Sequence, residues 1–136
     1  MRTLTRKGKD RAIVLQFARC AYCEQPLEDH AQVDHMDECR DNNAPENLAA
    51  CCGTCHAAKT MHYRKGRPQL HDMLQQAREF KAACTARWAE ATVDEAWDAV
   101  PDWLRSRVPR DRVALLVHAH KPWTPMDIEQ FRFRPT

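Results

Sequence analysis

Apolar residues recur at three- and four-residue intervals from Leu70 through Met73, Leu74, Ala77, Phe80, Cys84 and Trp88 to Ala91, a single stripe along one helical face. The pattern predicts a long helix from about Pro68 to Ala91, separated from the preceding chain by Gly66-Arg67-Pro68. A shorter helix is expected over residues 8 to 18, with Ile13, Val14 and Phe17 on one side. Thr92-Val93-Asp94-Glu95 has the form of a capping box and should open another helix that ends before Pro101. Beyond it Pro101, Pro109, Pro122 and Pro125 divide the tail into short pieces. Thr124-Pro125 reads as a helix start there, and Arg112 to His118 fits either a helix or a strand.

Between these helical patterns the periodicity changes. From Cys20 to about His35 the chain reads as extended, with a tight CxxC turn, Pro26 and then Ala31-Gln32-Val33 running into Asp34-His35, the outline of a short hairpin. Arg40-Asp41-Asn42-Asn43-Ala44-Pro45 is rich in turn formers, since Asn tolerates left-handed backbone and Pro fixes φ. Asn47-Leu48 then opens a segment that carries a second CxxC and continues as a helix through about Tyr63. The fold class expected is α+β, a small core with a mostly α-helical C-terminal extension.

At 136 residues the chain suits one domain with helical additions around a small centre, organised as a core over residues 1–66 and an extension over 67–136. No apolar stretch approaches the length of a membrane span, so no membrane partner is expected. The basic start at Arg2, Arg6 and Lys7 followed by Ala12-Ile13-Val14-Leu15 has a superficial likeness to a signal peptide. Gln16 and Arg19 cut it short, and no small-residue cleavage site follows. Seven cysteines, an odd number without a secretory signal, argue for metal binding in a reducing, cytoplasmic compartment over a disulfide framework. The net charge of +2 hides an uneven distribution: acids crowd residues 24–46 against Arg40 alone, and basic segments flank them. An acidic centre between basic arms suits a divalent-metal site among phosphate-gripping groups.

Cys20/Cys23 and Cys52/Cys55 can each present two thiolates from a turn, and two such turns complete a tetrahedron around a structural Zn2+. Cys51 could compete by a one-residue shift, but Cys51/Cys55 would lose the CxxC turn. Cys39 and Cys84 read as small buried apolar residues.

The motifs Cys20-Ala-Tyr-Cys23, Val33-Asp34-His35, Asn47-Leu48 and Cys52-Gly-Thr-Cys55-His56-Ala-Ala-Lys59 resemble the zinc-knuckle branch of the HNH endonuclease family. The resemblance spans roughly residues 15 to 65. It implies a ββα-metal fold and metal-assisted hydrolysis of DNA phosphodiester bonds, leaving 5′-phosphate and 3′-hydroxyl ends. It places a catalytic divalent ion, Mg2+, Mn2+ or another, on Asp34 and His56. It leaves His35 unligated as the general base, with Asn47 either orienting His35 or its backbone through its side-chain amide or contacting the metal. Adjacent strand residues point to opposite faces, which agrees with separate tasks for Asp34 and His35.

Each residue also has a plainer reading: a surface Asp–His pair, an Asn47 helix cap, a spare nitrogen of His56 beside the zinc. Together these describe a catalytically silent zinc-stapled module that binds DNA or protein. Two features depart from the family pattern. Asn42-Asn43 replaces a frequent Gly pair, and Met36-Asp37-Glu38 stands where Pro is common; Asp37 and Glu38 offer a further ligand or contact but read as solvated. His62 is a weaker ligand candidate, and His30, His71, His118 and His120 weaker still.

DNA phosphates would be held by Lys59, Arg64, Lys65 and Arg67 around the end of the core helix, and by Arg6, Lys7, Lys9 and Arg11. Trp88, Trp97, Trp103 and Trp123 could stack on bases but at helical spacing read as core. The helical extension could form a homodimer, dock a protein partner or bind DNA. Phage or mobile-element, restriction-type and packaging roles all fit.

Overall fold

The structure is a computed structural model that describes residues 3–121; the expectations placed on Arg2, Pro122, Trp123 and Thr124-Pro125 lie outside the described residues. The first helix, α1 (Arg6–Leu15), starts at Thr5, whose hydroxyl oxygen accepts the Gly8 amide at 3.0 Å and satisfies one of the unpaired donors at the helix start. It ends where Phe17 and Ala18 both take positive φ, 53° and 57°, and the Ala18 amide donates to the Ile13 carbonyl at 2.9 Å. This left-handed turn sends the chain back beneath the helix and into the first CxxC turn.

Strand β1 (Gln32–His35) pairs antiparallel with β2 (Leu48–Cys51), in a register that sets Gln32 opposite Cys51 and His35 opposite Leu48. This corrects the expected hairpin over residues 20–35. Before β1 the chain makes only an isolated bridge between Arg19 and Pro26, because the CxxC turn, with Glu24 at φ 63°, curls back on itself. The second strand instead follows the loop, over residues expected to lead straight into the core helix. All four β2 residues are buried, three of them completely, and Ala49 and Ala50 are small enough for α1 to pack directly on the strand. Tertiary burial here overrides alanine's helical propensity.

Gln16 closes the open edge of β2. Its side-chain amide donates to the Ala50 carbonyl at 2.9 Å and its oxygen accepts the Ala50 amide at 2.8 Å, as a third strand would. Gln16 is itself buried and also donates to the Arg19 carbonyl at 2.8 Å.

A single-turn 3-10 helix over Pro45–Asn47 leads into β2, and α2 (Gly53–Arg64) follows it, as the ββα order requires. Then come α3 (Gln69–Glu90), α4 (Val93–Asp98), α5 (Asp102–Arg105) and α6 (Arg110–Ala119). Thr92 caps α4 as its sequence predicts, accepting the Glu95 amide at 3.1 Å. The stretch that fitted helix or strand is helical: Pro109 precedes it, Asp111 sits in its first turn, and Val113 and Val117 bury one face.

One apolar cluster runs from Ile13, Val14 and Phe17 through Ala77, Cys84 and Trp88 to Leu104, Val113 and Val117, so the extension shares its interior with the core. Trp88 is the junction. Its ring stacks on Phe17 with centroids 4.8 Å apart and on His120 at 5.5 Å, and its indole N–H donates to the Leu15 carbonyl at 2.9 Å. The buried Asp10 receives both Nε and an Nη of Arg107 at 3.1 Å, tying α1 to the chain after α5. Cys84 is buried as expected, whereas Cys39 is exposed in the polar loop after β1 and is not a core residue.

Gln16→Ala should lower stability by about 2 kcal/mol, because the Ala50 amide loses its partner in a buried place while the carbonyl keeps the Ala21 amide. Urea denaturation should give a lower midpoint with an unchanged slope. An unmoved midpoint would mean that Gln16 does not hold the strand edge.

Candidate active site

Cys20 and Cys23 come from the first turn; Cys52 stands at the N-cap of α2 and Cys55 in its opening turn. Their four sulfurs lie within 4.8 Å of one another, and Cys23 Sγ is 3.9 Å from Cys52 Sγ. A tetrahedral zinc with bonds of about 2.3 Å separates its sulfurs by about 3.8 Å, so the four thiols fit that ion. Cys51 stays out of the cluster, fully buried in β2, where burial and the nearby Asp34 carboxylate push its thiol far above the ordinary range. The one-residue shift therefore does not occur.

Beside this cluster, β1 and α2 bring Asp34 and His56 together: Asp34 Oδ1 is 3.6 Å from His56 Nε2. The two groups differ in access, the Asp34 side chain being 5% exposed and that of His56 37%. The other carboxylate oxygen, Oδ2, accepts the Tyr22 hydroxyl at 2.8 Å and lies 2.8 Å from Lys59 Nζ. Burial and then the Asp34 charge push the Tyr22 phenol well above its usual pKa, so it remains a donor.

Lys59 is fully buried. Besides Asp34, its ammonium donates to Glu38 Oε1 at 2.6 Å and to the His35 carbonyl at 3.0 Å, giving three acceptors for three protons. The assignment of Lys59 to DNA phosphates is thereby corrected, since the side chain points into the site and is shut off from the surface. Spacing carried the signal: Lys59 follows His56 by three residues, so the two share a face of α2.

His35, the next residue on β1, directs its ring elsewhere. His35 Nε2 is 2.8 Å from Asn43 Oδ1. An amide oxygen only accepts, so this bond forms when Nε2 carries the proton and Nδ1 keeps its lone pair. The imidazole's partner is thus Asn43, where the family resemblance implied Asn47 for the ring or for the His35 backbone. Asn47 has a different task. Its Oδ1 accepts the Asp37 amide at 3.0 Å, its Nδ2 donates to Asp37 Oδ1 at 2.9 Å and to the Asn42 carbonyl at 2.8 Å, and its carbonyl accepts the Met36 amide at 2.8 Å.

Nor are Asp37 and Glu38 merely solvated. Hydrogen bonds from Asn42 and the Cys39 amide hold the Asp37 carboxyl below the usual range, and Glu38 belongs to Lys59. Sequence reasoning placed Asn43 only in a turn and overlooked Tyr22; being part of a turn that replaces two glycines was the one hint for Asn43.

His62 lies outside this constellation, and its Nδ1 is buried without a hydrogen-bond partner among the described residues. His30 and His118 are exposed, as is His71, and His120 packs on Trp88. Arg64, Lys65 and Arg67 are exposed at and after the end of α2, and Arg6, Lys7, Lys9 and Arg11 on α1. Trp88 is core, and Trp97 and Trp103 are partly buried against it, leaving no fully exposed Trp among the described residues. A cavity of about 490 Å³ opens on the Asn43 side of the loop, lined among others by Arg11, Arg78, Lys81 and Trp88. Lys81 donates there to the carbonyls of Pro45 and Leu48, and burial draws its pKa down to about 8.

One zinc per chain is expected in protein purified without chelator. Apparent binding energies of structural zinc reach about 10–16 kcal/mol at neutral pH, so Cys52→Ser should both empty the site and unfold the core. Metal analysis and a melting curve check this together. A zinc-free wild type, or a serine variant that melts normally, would refute it.

Comparison with known proteins agrees with the cysteine and histidine pattern. Residues 20–61 match the family described as HNH endonuclease. No curated protein and no solved structure matches the chain. The matched stretch begins at the first cysteine of the cluster, takes in both strands and reaches well into α2, so this segment of the chain is similar to the HNH endonuclease family.

Proposed function

We propose that the chain is a divalent-metal-dependent endonuclease that hydrolyses DNA phosphodiester bonds at Asp34, His35 and His56. The observation that carries the reading is the approach of His56 Nε2 to Asp34 Oδ1, 3.6 Å, beside His35 and within a segment of the HNH family. An oxygen and an imidazole nitrogen at that separation suit Mg2+, Mn2+ or a similar ion, and the partial exposure of His56 keeps one side open to substrate. The ion, when bound, supplies positive charge to the scissile phosphate and the departing 3′ oxygen.

His35 is the general base. With Nε2 donating to Asn43, its Nδ1 takes the proton of the attacking water. Asn43 fixes the ring, and Asn47 fixes the loop that carries Asn43. Arg64, Lys65 and Arg67 hold backbone phosphates without reading sequence. The ion pair between Lys59 and Asp34 favours a second reading, the catalytically silent zinc-stapled binding module, because the ammonium already balances the carboxylate. Against it, Glu38 shares that ammonium, and Asp34 Oδ1 faces His56.

Plasmid nicking separates the two. His35→Ala should fold, keep zinc and bind DNA, yet cut about 10²- to 10⁴-fold more slowly. Asp34→Ala and His56→Ala should weaken the ion, so extra Mg2+ or Mn2+ should restore them in part and leave His35→Ala unaffected. Wild-type inactivity across the common divalent ions would establish the silent module, and a fully active His35→Ala would remove His35 from the mechanism.

Binding to duplex DNA should fall with salt at a slope of about −0.9 per neutralised phosphate. Lys65→Ala should flatten that slope by about one unit, measured by titration at several salt concentrations. Salt-independent binding would contradict the proposed basic surface.

A further inference from the structure

Asp34 has two carboxylate oxygens, and the fold treats them unequally. Oδ2 is engaged by the Tyr22 hydroxyl and the Lys59 ammonium, each at 2.8 Å, and the carboxylate is 5% exposed. Oδ1 faces His56 Nε2 at 3.6 Å. His56 and Lys59 are one turn apart on the same face of α2, so a single helix presents an imidazole to one oxygen and an ammonium to the other. Tyr22 reaches Oδ2 from between the first two cysteines, a position set by the cysteine turn. A carboxylate held this way cannot swing to offer both oxygens to one ion without abandoning two buried donors.

We propose that Tyr22 and Lys59 are positioning residues that make Asp34 a one-oxygen ligand. The inference rests on the metal-site reading above and adds a selectivity to it. Mg2+ and Mn2+ adopt octahedral geometry with single oxygens and water, whereas Ca2+ takes six to eight oxygens and accepts bidentate carboxylates. Holding Oδ2 away therefore disfavours Ca2+. Lys59 also ties the His35 carbonyl and Glu38 to the same point, which keeps the strand end and the following loop in register with α2.

Tyr22→Phe and Lys59→Arg preserve the local charge; Tyr22→Phe disturbs only the hold on Oδ2, whereas Lys59→Arg also disturbs the bonds to the His35 carbonyl and Glu38. Mn2+ affinity, measured by calorimetry on zinc-loaded protein, should fall about 10-fold in each, within the range known for groups that orient metal ligands. Ca2+ competition against Mn2+ should become several-fold more effective, a shift that general loosening of the fold would not produce. Zinc content should stay at the wild-type level.

Unchanged Mn2+ affinity together with an unchanged Ca2+ to Mn2+ ratio, in variants that retain zinc, would overturn the positioning role while leaving the nuclease reading intact. A wild type that binds no Mn2+, or whose Mn2+ affinity is unchanged by His56→Ala, would overturn the metal-site reading and this inference with it. Should Lys59→Arg fail to fold in its buried place, Tyr22→Phe, which removes one oxygen atom, decides alone.

Discussion

The meeting of four sulfurs is the constraint from which the site follows. Two of them stand at the start of α2, so closing the cluster fixes both the position and the axial rotation of that helix against the first cysteine turn. His56 and Lys59 lie one residue and four residues after Cys55. Their directions are settled once the helix start is settled. Tyr22 lies inside the other turn and is fixed with it. The groups around Asp34 therefore owe their arrangement to the cysteine cluster, in keeping with the need to hold a functional constellation on rigid supports.

Charge is the second organising element. An ammonium with no exposed surface would be very costly alone, and Lys59 is tolerated because three acceptors meet it at hydrogen-bond distance. Two of those are carboxylates, so the cluster keeps an excess of negative charge beside the half-exposed His56. That balance suits attraction of a cation to the open side of Asp34. It also explains the acidic middle of the chain, where Asp34, Asp37 and Glu38 hold structure as well as charge.

The long helix, its buried stripe, the capped α4 and the meeting of four cysteines in a group able to hold a metal ion were legible in the sequence because each rests on local spacing. The second strand was not. Leu48-Ala49-Ala50-Cys51 has no alternation, being buried on both faces, and it becomes a strand only because β1 lies on one edge and Gln16 on the other. Asp34 and His56 were singled out as partners through family resemblance, and their proximity in space agrees with it. The exchange of Asn43 for Asn47 beside His35 was hidden, since two neighbouring loop asparagines differ only in backbone direction. Lys59 was misplaced because a lysine near a helix end is ordinarily solvent-facing, and burial depends on acceptors more than twenty residues away.

The loop between the strands also connects the extension to the site. Lys81 of α3 donates to the carbonyls of Pro45 and Leu48, at the point where the loop turns into β2, and its lowered pKa reflects how far that ammonium has left water. Asn43 precedes Pro45 by two residues and holds the His35 ring. A helix outside the family-matched segment thus anchors the backbone that sets the proposed base. Phe17, Trp88 and His120 stack in series along the same side, so α1, α3 and the end of α6 move together if they move at all. The cysteine cluster fixes Asp34, His56 and Lys59 from one side, and α3 fixes the His35 loop from the other. The helices beyond residue 66 are in this sense part of the site's framework, whatever further surface they offer to a partner.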